Sequence, residues 1–190
     1  MTRRLWLFVT LALTLVGADQ LTKWLVVRYI PYRTGEIVIV PGWFSLVHAR
    51  NTGAAFGLMD DFQYRMYVFA AFTVVAVAVL AHMAWKLPED DRFQTVALAM
   101  IASGAAGNAI DRVRQQYVTD FLRAYVDAAG PKAWLVAHVG TYEWPSFNVA
   151  DSCIVVGLGL FVVYYLFFQR DEAVEPEPPV EPVSDLPQPR

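Results

Sequence analysis

The chain has 190 residues, 56% hydrophobic and 17% charged, with a formal net charge of −3 and a mean hydropathy of +0.37. So apolar a composition excludes a disordered chain and argues against an ordinary soluble domain. A single cysteine, Cys153, excludes an internal disulfide and a multi-cysteine metal site, and His48, His82 and His138 are too scattered to support a histidine-built zinc site.

Four stretches are apolar enough to cross a hydrocarbon core of roughly 30 Å, which takes about 20 residues. The first, 5–27, is uncharged as far as Ala18 and then carries Asp19 and Lys23. Arg3 and Arg4 ahead of it, with Gly17 and Ala18 as small residues, also fit a cleavable signal peptide; three further spans favour its retention as a first membrane helix. In the segment 28–61 that follows, 36–40 and 44–49 are β-prone and flank Pro41-Gly42, which reads as a hairpin. The second span, 66–85, holds no formal charge, and the short connection 86–92 leads to the third, 93–110. The connection 111–151 contains Trp134, Tyr142 and Trp144, and the fourth span runs 152–169. Residues 171–190 hold six acids, one base and six of the eleven prolines, a net −5 that leaves the rest of the chain at +2. Proline and like charge disfavour both helix and core, so this stretch reads as a disordered, solvated tail on a membrane unit of residues 1–170.

Parity of crossing puts 28–65 and 111–151 on one side of the membrane. Asp19 and Lys23 lie in the half of the first span nearest that side, Asn108, Asp111 and Arg112 where the third span emerges, and Asn148 and Asp151 where the fourth begins. Asp120 falls in the loop between, and Asn51 in the facing segment. Ionisable groups gathered at one membrane surface are functional candidates. Arg3, Arg4, Lys86 and Arg92 favour a cytoplasmic N-terminus, although Arg28, Arg33, Arg50, Arg65, Arg114, Arg123 and Lys132 then fall outside, so orientation rests mainly on the first helix.

Structural roles account for part of this pattern. Asp19 and Lys23, at i and i+4, can neutralise each other in the bundle. Asn148 with Asp151 three residues on matches an N-cap and its acidic partner, and Arg112 near a helix C-terminus suits the dipole. Ala99, Ser103 and Gly107, with Gly104, form a small-residue stripe that lets membrane helices approach closely. No serine–lysine or serine–histidine pairing and no phosphate-binding glycine loop stands out, so carboxylates are the plentiful catalytic groups. Two carboxylates held together cannot both ionise easily: one keeps a proton while the other can activate water. Spacing alone does not choose the pair among Asp19, Asp111, Asp120 and Asp151.

Five motifs resemble those of the lipoprotein signal peptidases, or type II signal peptidases, in the family's order across roughly residues 5–168. They are Asp19-Gln20-Leu21-Thr22-Lys23, Asn51-Thr52-Gly53-Ala54-Ala55-Phe56-Gly57, the run Gly104-Ala105-Ala106-Gly107-Asn108-Ala109-Ile110-Asp111-Arg112, Val118-Thr119-Asp120-Phe121, and Trp144-Pro145-Ser146-Phe147-Asn148-Val149-Ala150-Asp151-Ser152. The resemblance implies an all-α membrane protein: a four-transmembrane-helix bundle with a small extracytoplasmic β-structure and a loop insert at the membrane surface. It implies an intramembrane aspartic endopeptidase that cuts a prolipoprotein before its diacylglyceryl-modified cysteine, with Asp120 and Asp151 as the catalytic pair. Asn51, Asn108, Asp111, Arg112 and Asn148 would hold the substrate or orient the aspartates, and Asp19 and Lys23 would serve structure or positioning. No metal, cofactor or nucleic acid is expected; prolipoproteins and membrane lipids are the expected partners, and the chain is expected to act as a monomer. The site would face outward from the bacterial inner membrane, with both termini cytoplasmic. Two features depart from the family pattern: the connection from Asp120 to Asp151 is long, with its excess at 123–142, and Gln116 stands where the family commonly has glycine. A small transport or scaffold protein with a polar binding surface is the alternative from another class.

Overall fold

The computed structural model describes residues 2–52 and 65–168. Five α-helices and three β-strands follow one another as α1 (Arg3–Tyr29), β1 (Glu36–Val40), β2 (Phe44–Asn51), α2 (Arg65–Lys86), α3 (Arg92–Gln115), β3 (Val118–Ala124), α4 (Ala129–Val139) and α5 (Val149–Phe167). Four helices, α1, α2, α3 and α5, are long and apolar enough to cross a membrane. They correspond to the four expected spans: α1 and α3 run a few residues further because charged ends continue the helix, α2 gains one residue at each end, and α5 starts earlier, at Val149, and ends at Phe167.

Local chemistry sets the helix limits. Thr2 caps α1 by accepting the Leu5 N–H at 3.3 Å, and Asp91 caps α3 by accepting the Gln94 N–H at 3.0 Å. α3 ends at Gln116 in the left-handed conformation, φ 64° and ψ 14°, a backbone state that favours glycine. Glutamine therefore occupies this turn at some cost.

α3 is the centre of the bundle and touches α1, α2 and α5. Half of its most apolar window is buried, against 17% or less for the other three spans, whose remaining surface is left for lipid. The small residues of its stripe make the close approach: Ala99, Ser103 and Gly107 are all buried. A Cβ on Gly104 would collide with the Ala150 carbonyl oxygen of α5, and one on Gly107 would meet the Asp19 carboxylate of α1 at 2.5 Å. One apolar cluster, Phe8, Ala84, Leu98, Ala99 and Ala102, lies toward the N-terminal end of α1. There Arg4 donates to the Trp85 carbonyl at 2.6 Å, tying α1 to the end of α2. A second cluster, Val26, Ile30 and Phe121, joins the other end of α1 to the sheet.

The sheet is antiparallel in the order β1-β2-β3. The expected hairpin forms, with Glu36 opposite Val47 and Val40 opposite Phe44. Its turn uses Gly42 at φ +80°. β3 is the strand that the sequence reading treated as loop: Phe44 pairs with Ala124, Ala49 with Asp120 and Asn51 with Val118. Its first four residues are buried, so it lacks the alternation by which a half-buried strand is recognised. Phe147 then bonds to β3, its carbonyl accepting from Phe121 and Leu122 at 2.9 and 2.8 Å and its N–H donating to Leu122 at 3.0 Å. The expected loop insert contains a helix, α4, which packs on no other described element.

Candidate active site

Three structural events bring the polar residues together. Strand pairing fixes Asp120 opposite Ala49; the Phe147 bridge delivers the next residue, Asn148, alongside it; and the α3–α5 contact across Gly104 brings Asn108 to Asp151. At the start of α5, Asn148 and Asp151 form the anticipated capping box. The Asp151 N–H donates to Asn148 Oδ1 at 2.9 Å, and the Asn148 N–H donates to Asp151 Oδ2 at 3.1 Å.

The same asparagine goes further than capping. Its Nδ2 donates to Asp120 Oδ1 at 2.7 Å and to Asn108 Oδ1 at 3.2 Å. Asn108 Nδ2 in turn donates to the other oxygen of the box, Asp151 Oδ1, at 2.7 Å. Asn148 is wholly buried and therefore holds both aspartates in one hydrogen-bonded frame. Asp151 receives donors on both oxygens. Asp120 is 3% exposed, and burial pushes its carboxyl up to about 6, with the Asp151 charge adding to the rise while Asn148 and Asn51 hydrogen bonds and the Lys23 charge oppose it.

Beneath this frame lies an ionic network inside the bundle. Lys23 Nζ sits 2.9 Å from Asp19 Oδ2 and 3.1 Å from Asp111 Oδ2, and donates to Asn108 Oδ1 at 3.1 Å. The expected pairing of Asp19 with Lys23 is present, and Asp111 shares the same ammonium. Each carboxylate also fixes backbone: Asp19 Oδ1 accepts the Ala150 N–H at 2.9 Å, and Asp111 Oδ2 accepts the Thr119 N–H at 3.0 Å. Asp19 thus holds the start of α5, and Asp111 holds β3 one residue before Asp120. Buried charge is tolerated only when paired and hydrogen-bonded, and this network meets both conditions.

Gln20 completes the network, though the sequence reading gave it no role of its own. Its Nε2 donates to Asp19 Oδ2, the Gly107 carbonyl and Asp111 Oδ1 at 3.1–3.2 Å. Its place beside Asp19 in a motif was the available signal. Arg112 stands at the edge: Nη1 donates to the Asn108 carbonyl at 3.4 Å, the guanidinium lies 5.7 Å from the Phe69 ring centre, and Asp111, Asp120 and Asp151 all act on its charge. Asn51 is exposed at the end of β2 and bonds Asp120 through its side chain. Of the motif that begins with Asn51, residues 53–57 lie outside the described residues.

Of the histidines, His48 is buried and bonds the Ile30 carbonyl through Nδ1 at 3.0 Å, and His138 stacks on Trp134. His82 is exposed on α2 with its ring edge-on to Trp85.

Four membrane-length helices, with ionisable groups converging on two hydrogen-bonded aspartates at one end, define an integral membrane protein with a carboxylate site. Residues 11–167 match the family model described as signal peptidase (SPase) II. A lipoprotein signal peptidase of Geobacter metallireducens is 44% identical over 154 residues, covering 81% of this chain and 85% of its own. One from Geobacter sulfurreducens is 43% identical over 155 residues, covering 82% and 88%. A bacterial membrane enzyme solved at 1.9 Å superposes with a TM-score of 0.69 at 26% identity, covering 86% of this chain and 94% of that one. The chain belongs to the signal peptidase II family and is a membrane protease.

Proposed function

We infer that the protein is an aspartic endopeptidase that removes the signal peptide from prolipoproteins, cutting before the diacylglyceryl-modified cysteine, with Asp120 and Asp151 as its catalytic pair. The observation that carries this reading is the Asn148 bridge: one buried residue donates to Asp120 from its side chain at 2.7 Å and to Asp151 from its backbone at 3.1 Å. The two carboxyl groups are thereby held together in unlike environments, the condition for dividing acid and base roles.

In this reading Asp151, with donors on both oxygens, is the base, and the more buried Asp120 carries the proton. Water attacks the scissile carbonyl carbon while Asp151 takes its proton and Asp120 gives its own to the carbonyl oxygen. The resulting gem-diol collapses as the C–N bond breaks. The amine leaves with the proton that Asp151 acquired, and a hydroxyl proton returns to Asp120. Asn148 and Asn108 orient the pair, Asp111 fixes the strand that carries Asp120, and Asp19, Lys23 and Gln20 tie α1, α3 and α5 into one frame. Asn51 and Arg112, at the rim, are placed to meet the substrate backbone. The signal peptide and acyl chains stay in the bilayer, and only the scissile bond has to reach the polar end.

The site lies at the extracytoplasmic face of the inner membrane in this reading, with both termini in the cytoplasm and residues 1–170 as the catalytic unit, acting as a single copy. Incubating the purified protein with a lipidated prolipoprotein peptide, and with the same peptide bearing an unmodified cysteine, tests the substrate. Mass spectrometry should find one cut, immediately before the lipidated cysteine, and only in the modified peptide. Cleavage elsewhere, or of both peptides equally, would remove this assignment. Cysteines introduced singly at positions 90 and 130 in a Cys153→Ser background report orientation to a membrane-impermeant reagent: 130 should label from outside and 90 only from the cytoplasm.

A further inference from the structure

α4 has eleven residues, of which Lys132 and His138 are the only polar side chains, and they lie on different sides of the helix. No residue of it is buried, and it packs on no other described element. Trp134, Val136 and Val139 are 58%, 47% and 61% exposed. A helix that is apolar around its circumference is stable in a core or in lipid, not in water. The described residues supply no core here. At about 1.5 Å per residue α4 is roughly 17 Å long, too short to span and of the length that re-enters or lies along the interface.

Its surroundings point to the same occupant. α4 follows β3 at the end of the bundle where the spans' lipid-facing surface ends. Tyr125 and Asp127 donate to the carbonyls of Trp43 and Gly42 in the β1–β2 turn, so the root of the insert is fixed to the sheet. Trp43, Trp134 and Trp144 all project into solvent-accessible space around it, the residue type that collects at membrane–water boundaries. Beside them β1 is exposed throughout, and four of its five residues are Ile or Val. The charges at the root are already paired: Lys132 with Asp127 at 2.8 Å, and Arg123 with Glu36 and Glu143 at 3.0 and 2.6 Å. Seating this surface in a bilayer therefore strands no lone charge.

We propose that α4 is a membrane-interface anchor, lying in the headgroup–acyl boundary of the leaflet on the active-site side, with zwitterionic phospholipid as its partner. Because only residues 125–128 separate α4 from β3, the anchor sets the height of Asp120 relative to the bilayer surface. The inference needs the membrane-spanning fold and not the cleavage chemistry.

The test uses the full chain in phosphatidylcholine vesicles, with Cys153→Ser and a single cysteine at Trp134→Cys or Val139→Cys bearing an environment-sensitive fluorophore; Glu89→Cys in the α2–α3 connection is the aqueous control. Both α4 labels should show blue-shifted emission, lose intensity when the lipid acyl chains are brominated near the headgroup, and resist aqueous iodide. Adding Val136→Asp, at a position 47% exposed, should reduce bromolipid quenching at position 139. Iodide quenching equal to the control, without bromolipid quenching, would overturn the proposal. So would shielding from both quenchers that disappears on dilution into excess lipid, which would identify a second copy of the chain as the cover. Neither outcome depends on whether the protein cleaves a peptide.

Discussion

At the residue scale, two buried groups carry measurable consequences. Asp120 is held at about 6, above the 3.8 of a free aspartate, chiefly by burial. Between those values the folded chain keeps a proton that the unfolded chain has released. Its contribution to stability is therefore full below about pH 4 and is lost as pH rises through 6, a difference on the order of 3 kcal/mol. Asp120→Asn cannot ionise, so its melting temperature in detergent should gain on wild type between pH 4 and pH 8; a constant offset would refute the raised value. Lys23 lies between Asp19 and Asp111 with its side chain 4% exposed. Lys23→Met strands two buried carboxylates and should cost about 3–5 kcal/mol, read as lost thermal stability. The Asp19–Lys23 pair was legible from its i, i+4 spacing. Asp111's share in the same ammonium was not, because it depends on how α1 and α3 dock, and spacing within one helix says nothing about that.

At the scale of elements, the spans, the hairpin and the capping box follow from hydropathy, β-propensity around Pro41-Gly42, and the Asn148–Asp151 spacing. β3 does not. Burial of its first four residues on both faces removes the alternation that would mark it, and its pairing partner β2 lies more than sixty residues earlier. α4 was equally hidden, since an apolar stretch of that length fits strand, helix or loop until its surroundings are known. Two substitutions test the local geometry. Gln116→Gly removes the steric cost of a left-handed residue at the end of α3 and should stabilise the protein by about 1 kcal/mol, seen as a higher melting temperature. Gly104→Ala drives a methyl against the Ala150 carbonyl. It should cost about 1–3 kcal/mol and lower cleavage as well, because the same contact brings Asn108 to Asp151.

For the whole molecule, the arrangement explains why so apolar a chain keeps so few charges in its bundle. Its lipid-facing surfaces need none, and Asp19, Lys23 and Asp111, retained inside α1 and α3, are paired with one another beneath the aspartate frame. Removing the acidic stretch 171–190, outside the described residues, should leave cleavage within about twofold, a small energetic change by rate arithmetic. In the proposed mechanism Asp120 and Asp151 together perform the hydrolysis. Its most direct measurement is the rate at which wild type, Asp120→Asn and Asp151→Asn, each shown to insert and to melt cooperatively in vesicles, cleave a diacylglyceryl-modified prolipoprotein. Each single change should lower the rate by roughly 100- to 10,000-fold, and the double variant should lose little more. Either variant cleaving at near the wild-type rate would contradict the account.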